Sequence, residues 1–131
     1  VALDVRLMDR VFDNHVMSPA QSVVFEHIPS LVPVPDPVRI ERARAALEQI
    51  YGWLETRMTG QTWATPHGFT LADCAAAPSL FYADWVHPIG DHFVELKAYR
   101  ARLLARPSVA QCIEAARPYR HYFPLSAPDR D

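Results

Sequence analysis

The sequence predicts an all-α fold, a bundle of about five helices around one buried central helix. Three observations point there. Apolar residues recur at three- and four-residue intervals with almost no two-residue alternation. Glycine is scarce, at 4 of 131 residues, as suits long helices. The 12 prolines fall mostly between the periodic segments, where each ends or starts a helix. A chain of 131 residues that is half hydrophobic is long enough for one core and apolar enough to fold as one domain, residues 1–131.

The first segment carries Leu3, Leu7, Met8, Val11, Phe12, His15 and Val16 on adjoining stripes, with Asp4, Asp9, Arg10 and Asp13 elsewhere. Pro19 should kink it before Val23, Val24 and Phe25 continue the pattern. Pro29, Pro33, Pro35 and Pro37 then predict an extended, polyproline-like linker. Asp36 followed by Pro37 is a helix-start signal, with Ile40, Ala43, Leu47, Ile50, Leu54 and Met58 forming the next stripe. Gly60 suits a left-handed stop, and a loop with Trp63, Pro66 and Gly68 follows.

Residues 69–86, FTLADCAAAPSLFYADWV, are the most informative segment. Thr70 and Asp73 have the spacing of a capping box, with Asp in place of the usual Glu, and Phe69 and Cys74 stand at the positions of a hydrophobic staple. Beyond the cap nearly every residue is apolar or small, so this helix belongs at the centre of the bundle. Pro78 should bend it and free the Cys74 carbonyl. A fourth helix begins near Asp91 with Phe93, Leu96, Tyr99, Leu103 and Leu104, ending at Pro107. A fifth carries Val109, Cys112, Ile113 and Ala116, and the aromatic tail with Tyr119, Tyr122 and Phe123 should return to the bundle.

Charge and composition exclude several classes of function. With 13 basic and 15 acidic side chains there is no basic excess to attract nucleic acid or an anionic membrane. No apolar run approaches the roughly 20 residues that span a bilayer, so the expectation is a soluble, cytoplasmic protein. Cys74 and Cys112 read as unpaired, buried small side chains of a reducing compartment. Asp73 reads as a cap rather than an acid or base. His87, Asp91 and His92 lack the spacing of a zinc site, and no metal is expected. Trp63, Tyr82 and Trp85 read as core or interface aromatics. No phosphate-binding glycine loop or nucleophile elbow is present.

Three stretches, RLMDRVFDNHVMSPAQ at 6–21, FTLADCAAAPSLFYADWVHPIG at 69–90 and AYRARLLARPSV at 98–109, together resemble the C-terminal helical domain of glutathione S-transferases of bacterial type. The Thr70–Asp73 box ahead of the central helix is the most specific part of the likeness. The resemblance implies that an N-terminal thioredoxin-like domain, carrying the glutathione site and the catalytic residue, is absent from this chain, which begins at Val1 and reads as a fragment. No catalytic residue is therefore expected within it.

In that family the first helix contributes to the electrophile pocket and the dimer interface. The resemblance thus offers Met8, Phe12, His15 and Val16 as substrate-binding residues, against the plainer reading of helix packing and an interface histidine. It also implies glutathione as co-substrate, a small electrophile as substrate, a thioredoxin-like domain of the parent chain as partner and a homodimer. A non-catalytic interaction module with the same helical domain is the rival reading.

Overall fold

The computed structural model describes residues 1–131 and is all-helical. The elements are α1 (Ala2–Val11), a π-helical turn (Phe12–Met17), α2 (Ser18–Glu26), α3 (Pro37–Met58), α4 (Leu71–Val86), α5 (Val94–Ala105), α6 (Pro107–Ala116) and a 3-10 helix (Arg117–Tyr122). The first three are continuous, so five α-helical rods are observed, as the periodicity predicts.

Pro19 does not interrupt the first rod, which stays helical through it. It lies in the first turn of α2, and the turn before it widens, so that the Ser18 N–H reaches back to the Asp13 carbonyl. The Ser18 hydroxyl also donates to that carbonyl, at 3.1 Å. A proline has no N–H for the carbonyl four residues back and its ring crowds that carbonyl. Widening the preceding turn relieves both problems without breaking the rod.

The linker between α2 and α3 begins as a turn, with the Leu31 and Val32 amides both donating to the Ile28 carbonyl at 2.9 Å, bends again at Pro33 and Val34 and is extended at Asp36. Glu26, buried at the end of α2, closes it. Its carboxylate accepts the Asp36 amide and the Arg39 guanidinium, each at 2.8 Å. Asp36 in turn caps α3 by accepting the Val38 amide at 2.9 Å. Gly60 takes the left-handed conformation the sequence suggests, with φ of +71° just past the end of α3.

α4 is the central helix. Ten of its sixteen residues are buried, because α1, the π turn, α2 and α5 all pack against it. Met8, Phe12, Val16, Leu47, Tyr51, Leu54, Met58, Leu80, Leu96, Tyr99 and Leu103 fill the surrounding core with essentially no exposed surface. Pro78 lies on an exposed side of α4, and one turn is reinforced by the Ser79 hydroxyl, which donates to the Ala75 carbonyl at 2.8 Å.

Two buried tyrosines tie the rods together. The Tyr51 hydroxyl donates to the His87 carbonyl and the Tyr99 hydroxyl to the Asp73 carboxylate, both at 2.8 Å. Burial, more than the nearby carboxylates, pushes both phenols far above their ordinary range. In an unfolded chain they ionise near pH 10, while in the fold they stay neutral. Their contribution is therefore complete below about pH 10 and declines as pH rises further, by up to about 1.4 kcal/mol per pH unit for each. Urea unfolding at several pH values above 10 should show this slope, and Tyr99→Phe should remove about half of it. An unchanged slope would mean that Tyr99 ionises in the folded state.

Candidate functional site

α5 is held against α3 and α4 by two carboxylates, and this frame sets the position of α6 and the tail. Glu55 of α3 accepts the Glu95 and Leu96 amides at 3.0 and 2.8 Å, capping an α5 N-terminus whose own cap position, Phe93, offers no side-chain acceptor. Asp73 of α4 makes the second junction. Its Oδ2 accepts the Thr70 amide at 2.9 Å, while the Thr70 hydroxyl accepts the Ala72 amide at 3.3 Å, so the capping box is present. Its Oδ1 accepts the Ala64 amide at 2.9 Å and the Tyr99 hydroxyl at 2.8 Å. Every contact of this fully buried carboxylate is internal, and its role is to join loop, helix start and α5.

The tail is bolted to the end of α4. Asp84 pairs with Arg130 and lies 3.7 Å from Arg100, and its other oxygen accepts the Ile89 amide at 2.8 Å. Asp131 pairs with Arg117 at 3.0 Å and also with Arg120, and these guanidinium groups hold its carboxyl below the usual carboxylate range. Phe123 packs on Trp85 and Tyr82, with ring centres 5.2 and 6.0 Å apart, and Arg120 covers the Trp85 ring. The expected return of the tail is thus carried by Phe123. Tyr119 and Tyr122 remain largely exposed.

Between α2, α4, α6 and this tail lies an apolar groove of about 890 Å³. Val24 and Phe25 form one wall, Phe81 and Trp85 the floor, and Ile113 and Phe123 the far side. Its size and lining are those of a small-molecule or side-chain receptacle. α6 owes its amphipathic character to this groove, since none of its residues is buried in the core.

The groove does not include the four substrate-binding residues expected from the first helix. Met8, Phe12 and Val16 are completely buried, because their stripe is the one that α4 packs against. They offer no surface to a ligand here and act as core. His15 alone of the four is exposed, on the π turn. Met17, Gln21, Val24 and Phe25, further along the same rod, line the groove instead. The signal for them was Phe25, a large apolar side chain that the rod leaves 47% exposed.

The cysteines also depart from expectation. Cys74 and Cys112 are free and exposed, and both line the groove. Cys74 follows the cap on the side of α4 away from the core, and Cys112 belongs to α6. Tyr82 and Trp85 line the groove as well, whereas Trp63 packs edge-on to Phe69, whose ring Arg106 covers at 3.5 Å. His87 and His92 both approach Glu48, at 2.7 and 3.9 Å. No group of three or more His, Cys, Asp or Glu side chains is arranged to hold a metal ion. No helix is long and apolar enough to cross a membrane.

Comparison with known proteins agrees with this architecture. The family described as glutathione S-transferase, C-terminal domain, matches residues 37–105, which contain α3, the capping box, the central helix and α5. No curated protein and no solved structure matches the chain. The match spans more than half of the sequence and contains three of the helices that build the core, and on that ground the chain belongs to the glutathione S-transferase C-terminal domain family.

Proposed function

We propose that this chain is the helical half of a cytoplasmic, bacterial-type glutathione S-transferase that detoxifies electrophiles. The parent protein attaches the glutathione thiolate to an electrophilic carbon. A thioredoxin-like half supplies the glutathione site and the thiolate-activating group, and the helical half supplies apolar surface to the electrophile site and to a homodimer.

The observation that carries this reading is the two-sided first helix. Met8 and Phe12 are fully buried, while Leu3 and Leu7 on the adjoining stripe are 79% and 55% exposed. The outer stripe is an apolar surface without a partner, in keeping with a helix that meets a second domain. His15 lies on the same rod and is accessible to the thioredoxin-like half.

In a glutathione-conjugation assay with an aromatic halide, the intact parent is expected to be active and this chain alone to stay at the uncatalysed rate. Conjugation by the chain alone would overturn the placement of the chemistry in the other half. An inactive parent would favour the non-catalytic interaction module, which uses the same outer stripe. The chain alone should self-associate with rising concentration, and Leu3→Glu with Leu7→Glu should abolish this. Sedimentation as a single monomeric species before any substitution would sink the docking role of the stripe.

A further inference from the structure

Residues 107–131 are attached to the bundle at two ends. At the first, a single extended residue, Arg106, with φ of −65° and ψ of 129°, separates α5 from α6. Beyond it α6 packs on α5 and on the 3-10 helix, and no residue of α6 or of the 3-10 helix is buried. Val109, Phe123 and Leu125 touch the core from partly buried positions. The second attachment is an ionic clasp. Arg130 pairs with the Asp84 carboxylate and donates to the Asp84 carbonyl at 3.2 Å. Arg117 donates to both carboxylate oxygens of Asp131, at 3.1 and 3.0 Å, and Arg120 adds a further bond. The clasp thus joins the end of α4, the tail and the 3-10 helix.

We propose that residues 107–131 are a flap, hinged at Arg106 and latched by the Arg130–Asp84 and Asp131–Arg117–Arg120 pairs, which swings from α4 while the rest of the bundle stays folded and so sets the width of the groove. Two features allow it to open. Asp84 is only 7% exposed, but it keeps the Ile89 amide and the nearby Arg100 when Arg130 leaves, so no buried charge is left alone. The Trp85 indole N–H is buried without an acceptor in the closed state, a cost that contact with water removes on opening. The clasp and the packing of Phe123 on Trp85 and Tyr82 oppose these. The balance responds to ionic strength, because the side chains of Arg117, Arg130 and Asp131 are 42%, 43% and 41% exposed and exposed ion pairs are screened by salt. The core that remains behind is apolar and has no such dependence. The device belongs to this chain alone and does not rest on the conjugation assigned above to the parent.

The two cysteines report the width of the groove, since Cys74 stands on α4, Cys112 on α6, and both are exposed. With a nitroxide attached to each, electron paramagnetic resonance reads the distance between them. Raising sodium chloride from about 0.1 M to about 1 M shortens the screening length from about 10 to about 3 Å. This should raise the ratio of long to short distances by about fivefold to tenfold, the effect of weakening two exposed ion pairs. Arg130→Gln combined with Asp131→Asn should show the long distances already at low salt and lose the salt response, whereas Arg130→Lys, which keeps the charge, should behave as the unsubstituted chain does. Amide hydrogen exchange in α4 and α5 should stay slow in every case. Distances that neither salt nor the double substitution changes would overturn the proposal. So would a lengthening accompanied by fast exchange in α4 and α5, which is unfolding, or one that Arg130→Lys reproduces at low salt.

Discussion

Asp73→Ala is expected to destabilise the domain by about 3 kcal/mol or more, a large part of the 5–15 kcal/mol available to a domain. The carboxylate is completely buried and accepts from the Ala64 amide, the Thr70 amide and the Tyr99 hydroxyl. Removing it strands these donors away from water at about 1–3 kcal/mol for each one fully buried. Thr70→Ala removes only the hydroxyl side of the box and should cost about 1 kcal/mol. The double substitution should cost less than the sum, because the Thr70 hydroxyl also lies 3.4 Å from Asp73 Oδ2 and part of each loss is shared. Tyr99→Phe should fall between the two single losses. Chemical denaturation of this set decides the matter, and an Asp73→Ala variant within 1 kcal/mol of the parent sequence would show that the junction contributes little.

That prediction is larger than the capping box alone would justify, and the difference marks how far the sequence could be read. The box is local, written in four consecutive residues, and so are the Asp36 cap and the Gly60 stop. Apolar spacing likewise revealed the central helix, because a segment polar at almost no position must be enclosed. The partners of Asp73 in the loop and on α5 are 9 and 26 residues distant, and no local pattern encodes them. The same holds for Glu55, which caps a helix 40 residues further on, and for Glu26, which closes the linker after it.

The candidate site was less legible than the fold. Two adjacent apolar stripes on the first helix were visible, but periodicity does not say which of them meets the bundle. The cysteines looked like core residues because their segments are apolar. α6, however, lies across a groove from α4 instead of against it, so a helical face that reads as buried is open.

The choice between stripes is settled most sharply by Phe12. Its ring is fully buried, with its centre 6.3 Å from that of Tyr99 on α5, and the π turn that carries it packs on the central helix. Phe12→Ala should therefore destabilise the domain by about 3–5 kcal/mol, the usual cost of emptying a phenylalanine site in a packed core. His15→Ala, at an exposed position, should stay within about 0.5 kcal/mol. In the intact parent, kept cold enough for the Phe12 variant to remain folded, its Michaelis constant for an aromatic electrophile should be unchanged, since the Phe12 side chain has no exposed surface. Thermal denaturation of both variants gives the stabilities and steady-state kinetics gives the binding. A raised Michaelis constant for the electrophile with stability intact would return Phe12 to the pocket wall and mean that the first rod turns its other stripe to the bundle in the parent.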